Sequence, residues 1–330
     1  LRPGCVGRGA ACPQVAPDPG RERRIRRSSP RGRACGVPSL RMQPRLQPSS
    51  RLPFLACAAI GALLLLATMP VQAASEEATR IGGIDVVVWT PSAGEQLNLP
   101  VLMFSHALYM CPTQSRYLTG ALADAGYLVV APRHGDSSCS FSVRPSLSRW
   151  SAKPSPMWTE DDYRDRADDI RTVVAALPRD PRYRDVADMG RLALAGHSLG
   201  GDTGLGLGGA WPSWRLPGVR AVVALTPYSL PFRGSDGLSR LSVPAMYQVG
   251  TLDPVFTMPF EQFGYAQTPP PKYLVEISWA NHMAWTDLGM SGRDAIVDYA
   301  VAFLDHHVKE APEAAALKVA LPGVSGYRRD

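Results

Sequence analysis

Arg191-Leu-Ala-Leu-Ala-Gly-His-Ser-Leu-Gly-Gly-Asp202 is the stretch on which the reading of this chain turns. The run Arg191 to Ala195 has the short apolar character of a buried parallel strand, and the small residues from Asp202 to Ala210 read as a helix able to pack closely on a sheet. Between them stands Gly196-His-Ser-Leu-Gly200, a G-x-S-x-G sequence followed at once by Gly201. The glycines let the chain turn sharply enough for the Ser198 hydroxyl to project alone above the sheet. Without its flanks the same pentapeptide would read equally well as a glycine-rich turn with a solvated serine.

Outward from this point, strand and helix patterns alternate from Ala78 onward, as in an α/β protein. Ile84 to Thr90 predicts half of an initial hairpin, and Pro100 to Ser105 and Tyr127 to Ala131 predict buried strands. Helices are expected over Ser115 to Ala125 and Glu160 to Leu177, the second from its apolar positions Ile170, Val173, Val174 and Leu177. Beyond the serine come strands at Val219 to Leu225, Val243 to Val249 and Tyr273 to Ile277, then a helix from Arg293 to Val308. His306 and His307 fall in its last turn, where a cation suits the helix dipole. The Ala/Pro-rich tail 311–330 is expected to fray.

The 330-residue chain carries a formal net charge of +6, but the charge is an end effect. Residues 1 to 73 hold 12 of the 35 basic residues and 2 of the 29 acidic ones, so the remainder is net acidic, which argues against nucleic acid as a partner. From Met42 the pattern is secretory: Arg45 and Arg51, an apolar run Phe54 to Ala67, then Val71-Gln-Ala73 as a small-residue cleavage site. The expected organisation is an upstream extension 1–41, a signal peptide 42–73, one catalytic domain 74–310 and the tail 311–330. Export to the periplasm or medium follows, with no stable membrane insertion after cleavage. Of six cysteines, Cys111 and Cys139 alone survive that cleavage, and an oxidising compartment allows them to pair; two separate buried thiols are the alternative.

A serine hydroxyl needs a base to take its proton and a carboxylate to orient the base. Both occur downstream in the order Ser198, Asp253, His282, the acid just past the strand ending at Val249 and the histidine just past the one ending at Ile277. Residues immediately beyond the carboxyl ends of parallel strands gather at one sheet edge. His106 and His134 also follow strands, His197 adjoins the serine and is expected to point into the scaffold, and Asp236 and Asp287 are the competing acids. The backbone N–H groups of Leu199 and Leu108 are the expected donors to an oxyanion. No metal-ligand spacing occurs, and this chemistry calls for no cofactor.

Phe104-Ser-His-Ala-Leu108, Gly196-His-Ser-Leu-Gly-Gly201, Gly250-Thr-Leu-Asp-Pro254 and Ala280-Asn-His-Met-Ala-Trp-Thr-Asp287 together resemble the platelet-activating-factor acetylhydrolase-like and dienelactone-hydrolase-like branches of the α/β-hydrolase superfamily. The resemblance spans Ile81 to Val308 and implies a mostly parallel central sheet flanked by helices in a single domain, a carboxylic-ester hydrolase acting on small-molecule or lipid esters, and a triad at Ser198, Asp253 and His282. The family usually has glycine where this chain has Ala107, and the cutinase-like enzymes carry a glutamine-serine pair that Gln114-Ser115 faintly matches. Dienelactone hydrolases proper use a cysteine nucleophile, so Ser198 points to general esterase chemistry. An acyltransferase or a polyester/cutinase-like hydrolase on the same triad, and a noncatalytic binding protein on the same fold, are the alternatives. The insertion 137–159 is expected to overhang the active edge, with Trp150, Met157 and Trp158 as candidate walls or simply packed onto their own domain.

Overall fold

Nine strands share one sheet in the order β1-β2-β4-β3-β5-β6-β7-β8-β9. The computed structural model describes residues 73–94, 96–139, 157–232, 236–254 and 258–330. The expected extension 1–41, nearly all of the segment 42–73 and Trp150 lie outside them. The strands are β1 Ser75–Ile81, β2 Ile84–Thr90, β3 Leu99–Ser105, β4 Leu128–Pro132, β5 Ala187–His197, β6 Val219–Leu225, β7 Ala245–Gly250, β8 Lys272–Ile277 and β9 Val324–Arg329. Strands β4, β3, β5, β6, β7 and β8 run parallel, while β1 and β2 on one side and β9 on the other pair antiparallel. Gly82 and Gly83, at φ 59° and 84°, make the two-residue β1–β2 turn, whose twist needs left-handed residues at both positions.

The helices are α1 Arg116–Asp124, α2 Arg164–Ala176, α3 Leu199–Leu205, α4 Met258–Gln267 and α5 Arg293–Val308. They cover both faces because the central strands are apolar on both. Val101 and Met103 of β3 pack with Ile170 and Val173 of α2 and Leu205 of α3. Leu102 and Phe104 face the other way, onto Leu118 and Leu122 of α1 and Ile296 and Phe303 of α5. Each such fully buried side chain contributes roughly 1.5–3 kcal/mol of transfer free energy. The architecture is therefore α/β, three layers deep, with a mostly parallel sheet. Among the described residues no helix is long and apolar enough to cross a membrane.

Several elements differ from expectation, and three of these differences have a clear local cause. Helix α2 begins at Arg164 instead of Glu160, because Asp162 bonds back to the Thr159 N–H at 2.8 Å and Tyr163 takes the left-handed region at φ 59°. Helix α3 begins at Leu199 instead of Asp202, and Gly206–Ala210 continues it as a wider π turn that breaks at Gly209, φ 126°. The tail 311–330 is not frayed: β9 pairs with β8 from Tyr273↔Arg329 to Ile277↔Val324 and covers what would otherwise be an open sheet edge. Leu317 is buried beneath it, and the Tyr327 hydroxyl donates to the Leu317 carbonyl at 2.7 Å.

The path of the chain fixes where loops converge. From β3 it passes through α1 to β4 on one side, and from β4 it crosses through α2 to β5 on the other. The strand order thus reverses between β3 and β5, and the crevice beyond their carboxyl ends is where open α/β sheets bind ligands.

Candidate active site

Ser198 stands in that crevice, at the turn from β5 into α3. Its φ of 56° and ψ of −118° lie where an L-residue is strained, at a cost of about 1–3 kcal/mol, so surrounding contacts must hold it there. Its N–H donates to the Leu225 carbonyl of β6 at 3.0 Å, and its carbonyl accepts from Gly201, Asp202 and Tyr228 at 2.9, 3.2 and 3.0 Å. The glycines permit this folding. A Cβ on Gly196 would lie 2.2 Å from the Gly200 carbonyl oxygen, one on Gly200 would lie 2.0 Å from the Ser105 carbonyl oxygen, and one on Gly201 would lie 2.7 Å from Pro227. The first turn of α3 is thereby pressed against the loop leaving β3.

The expected acid and base meet. The His282 Nδ1 lies 2.7 Å from the Asp253 Oδ2, in a pair whose carboxylate is buried and whose imidazole is largely so. A carboxylate can only accept, so Nδ1 carries the proton and Nε2 is left to exchange one. The Thr226 hydroxyl donates to the same Oδ2 at 2.5 Å, fixing the carboxylate from β6. Gly250 lets the ends of β7 and β8 touch: a Cβ there would lie 2.3 Å from the Ala280 oxygen, which accepts from the Leu252 N–H at 2.9 Å. Of the competing acids, Asp287 is occupied in accepting the Tyr117 N–H at the start of α1, and Asp236 sits in a turn where its carbonyl accepts from Ser239.

His197 ties the serine turn to the base. It is buried in the scaffold, as expected, with its Nε2 2.8 Å from the His282 carbonyl and its ring 4.9 Å from the His282 ring. Burial, and then the neighbouring His282, push its pKa down to about 3, so it is neutral. Gln114 donates from Nε2 to His197 Nδ1 at 2.9 Å while its Oε1 accepts the Ala107 N–H at 2.9 Å. One amide thus joins the loop after β3 to the serine turn. In the sequence Gln114 stands out only as half of a faint motif match and nothing marks Thr226, because contact partners 83 and 27 residues away leave no local signal.

Leu199 opens α3, so its N–H has no acceptor within the helix. Leu108 lies half-buried in the loop that the Gly200 contact brings against that turn. Ala107 sits in this loop without backbone strain, because the positive φ falls at Tyr109, φ 58°, and not at Ala107. Cys111 and Cys139 form a disulfide, with Cα atoms 5.4 Å apart, joining the loop after β3 to the one after β4. Trp158 packs between Tyr163 and Tyr228 at ring separations of 4.8 and 5.1 Å, and the Tyr228 N–H is the one bonded to the Ser198 carbonyl. Met157 is exposed. Among the described residues no cluster of three His, Cys, Asp or Glu side chains is arranged to hold a metal. No protein-family model matches the chain, and a search of curated proteins finds no significant match.

Proposed function

We propose that the chain is a serine hydrolase of carboxylic esters with the α/β-hydrolase fold, exported from the cell. The Asp253–His282 hydrogen bond beside a strained Ser198 at the sheet's switch point carries this reading. Ser198 Oγ attacks the ester carbonyl as its proton passes to His282 Nε2. Asp253 holds the ring in the tautomer that makes this possible and stabilises the imidazolium. The N–H groups of Leu199 and Leu108 stabilise the oxyanion of the tetrahedral intermediate. His282 then protonates the departing alcohol and activates the water that releases the acid from the acyl-serine. The disulfide between Cys111 and Cys139 supports the export reading, since such bonds persist in oxidising compartments. Tyr228, whose N–H bonds the Ser198 carbonyl, shares an aromatic group with Trp158 and Tyr163, and apolar surface of this kind near the serine turn suits an apolar acyl chain.

A panel of p-nitrophenyl esters of graded acyl length tests the reading. The purified chain should hydrolyse at least the short members, and Ser198→Ala should lower kcat by about 10³-fold or more at unchanged thermal stability. Near-normal hydrolysis by folded Ser198→Ala would remove the assignment.

A further inference from the structure

Beneath the proposed oxyanion loop lies a polar cluster that the triad does not use. Arg166 of α2 is fully buried, and a buried guanidinium is costly unless every contact it makes is a good one. Its Nη2 donates to Asp136 Oδ2 at 2.6 Å, a carboxylate that is itself buried. Both terminal nitrogens also reach the end of β3 and the loop after it: Nη1 donates to the His106 carbonyl at 2.7 Å and to Ser105 Oγ at 3.3 Å, and Nη2 to the Ala107 carbonyl at 3.3 Å, while Nε is buried without a partner among the described residues. Two histidines complete the shell. His106 Nε2 accepts the His134 N–H at 3.2 Å, so its Nδ1 carries the proton and donates to the Ala107 carbonyl at 2.8 Å. His134 Nδ1 lies 2.9 Å from Asp169 Oδ2, so its Nε2 accepts from Ser105 Oγ, also at 2.9 Å.

A trans peptide unit is planar, with its C=O and N–H pointing in opposite directions. In the unit joining His106 to Ala107, the carbonyl faces Arg166 and the N–H faces Gln114 Oε1 on the opposite side. In the next unit the Ala107 carbonyl again faces Arg166, held there also by His106 Nδ1 and by the Met110 N–H at 3.0 Å. The Leu108 N–H must therefore point away from Arg166, toward the side occupied by Gln114 and His197, and His197 is the residue before Ser198. We propose that Arg166, backed by Asp136, is a positioning residue that aims the Leu108 N–H at the oxyanion. The proposal rests on the hydrolase reading above. It also gives Arg166 a reason to be buried that packing alone does not, since the rigid fork of a guanidinium holds two consecutive carbonyls and a carboxylate in one fixed arrangement, which the rotating point charge of an ammonium does not.

Arg166→Lys and Asp136→Asn, assayed on p-nitrophenyl acetate with reactive serines titrated to completion by a fluorophosphonate, provide the test. Turnover per reactive serine should fall about 10- to 100-fold in Arg166→Lys, with KM changed less than about threefold. The affinity for a trifluoromethyl ketone, whose hemiketal oxygen needs the same donors, should weaken by the same factor as kcat. Asp136→Asn keeps the guanidinium and an acceptor beside it, so it should show the same pattern more weakly and decides the matter if Arg166→Lys does not fold. A structural role alone would lower melting temperature or the count of reactive serines. Wild-type turnover per serine and wild-type ketone affinity in the folded variants would overturn the proposal. A wild-type chain that the fluorophosphonate does not label at Ser198 would instead overturn the hydrolase reading, and the positioning role with it.

Discussion

Thr226 does at the residue scale what no motif announces: from the end of β6 it donates a hydrogen bond to the carboxylate that orients the proposed base. A hydrogen bond to a charged group contributes about 1.5–3 kcal/mol, so Thr226→Val, close to isosteric, should lower kcat about tenfold or more while KM stays near its normal value. Steady-state kinetics on a p-nitrophenyl ester reads this directly, and an unchanged kcat would mean that the Asp253 carboxylate is held well enough without it. The strained turn at Ser198 and the pairing of His282 with Asp253 were legible in the sequence because each residue follows an apolar strand and their order is constrained by the sheet. The neutrality of His197 was not legible. It comes from burial between Gln114 and the His282 carbonyl, a contact between segments 85 residues apart. Arg166 was hidden for a similar reason: its charge suggests a solvated helix face, and only the tertiary structure supplies the carbonyls and carboxylate that allow it inside.

Among the elements, the strands of the centre were readable because they are apolar on both faces, and α5 runs over Arg293–Val308 as its pattern predicts. The edges were not. Strand β9 reads Val-Ser-Gly-Tyr-Arg-Arg, with no hydrophobic alternation, and is held by pairing with β8 and by the Arg328–Glu276 contact at 3.1 Å. Helix α4 was likewise unforeseen between β7 and β8. The disulfide acts on two loops at once, closing a span of 28 residues that includes α1 and β4. In the chain-entropy account a loop of this size contributes about 3–4 kcal/mol through the unfolded state. Reduction under native conditions should therefore lower the melting temperature and the kcat together, since the loop bearing Leu108 loses its tether. Differential scanning calorimetry and ester kinetics in matched oxidised and reduced samples check both, and a melting temperature indifferent to reduction would assign the bridge no stabilising role.

On the scale of the whole molecule, acid should unfold this protein earlier than its carboxylate content suggests. Burial holds His106 and His134 well below the ordinary imidazole range, aided in both by the charge of Arg166, and burial holds His197 at about 3. These rings stay neutral when folded but protonate near pH 6.5 when unfolded, so the stability they contribute is complete above that pH and is lost as pH falls below it. Asp202 acts in the opposite sense, because burial raises its pKa well above the usual carboxylate value, and it offsets one of the three between about pH 4 and its raised value. Unfolding there should take up about two protons, a slope of about 3 kcal/mol per pH unit that His307, held at about 4 chiefly by burial, makes steeper. Urea denaturation at pH 7.0, 6.0 and 5.0 measures this slope, and a flat dependence would mean that the histidines are hydrated. The proposed hydrolase requires Ser198, strained at the turn beyond β5, to be a nucleophile activated by His282 and Asp253. Peptide mass spectrometry of the purified chain after a fluorophosphonate tests this: one stoichiometric adduct is expected, on Ser198, abolished in His282→Ala, whereas an unmodified Ser198 in a folded chain that still hydrolyses esters would rule out Ser198 as the nucleophile.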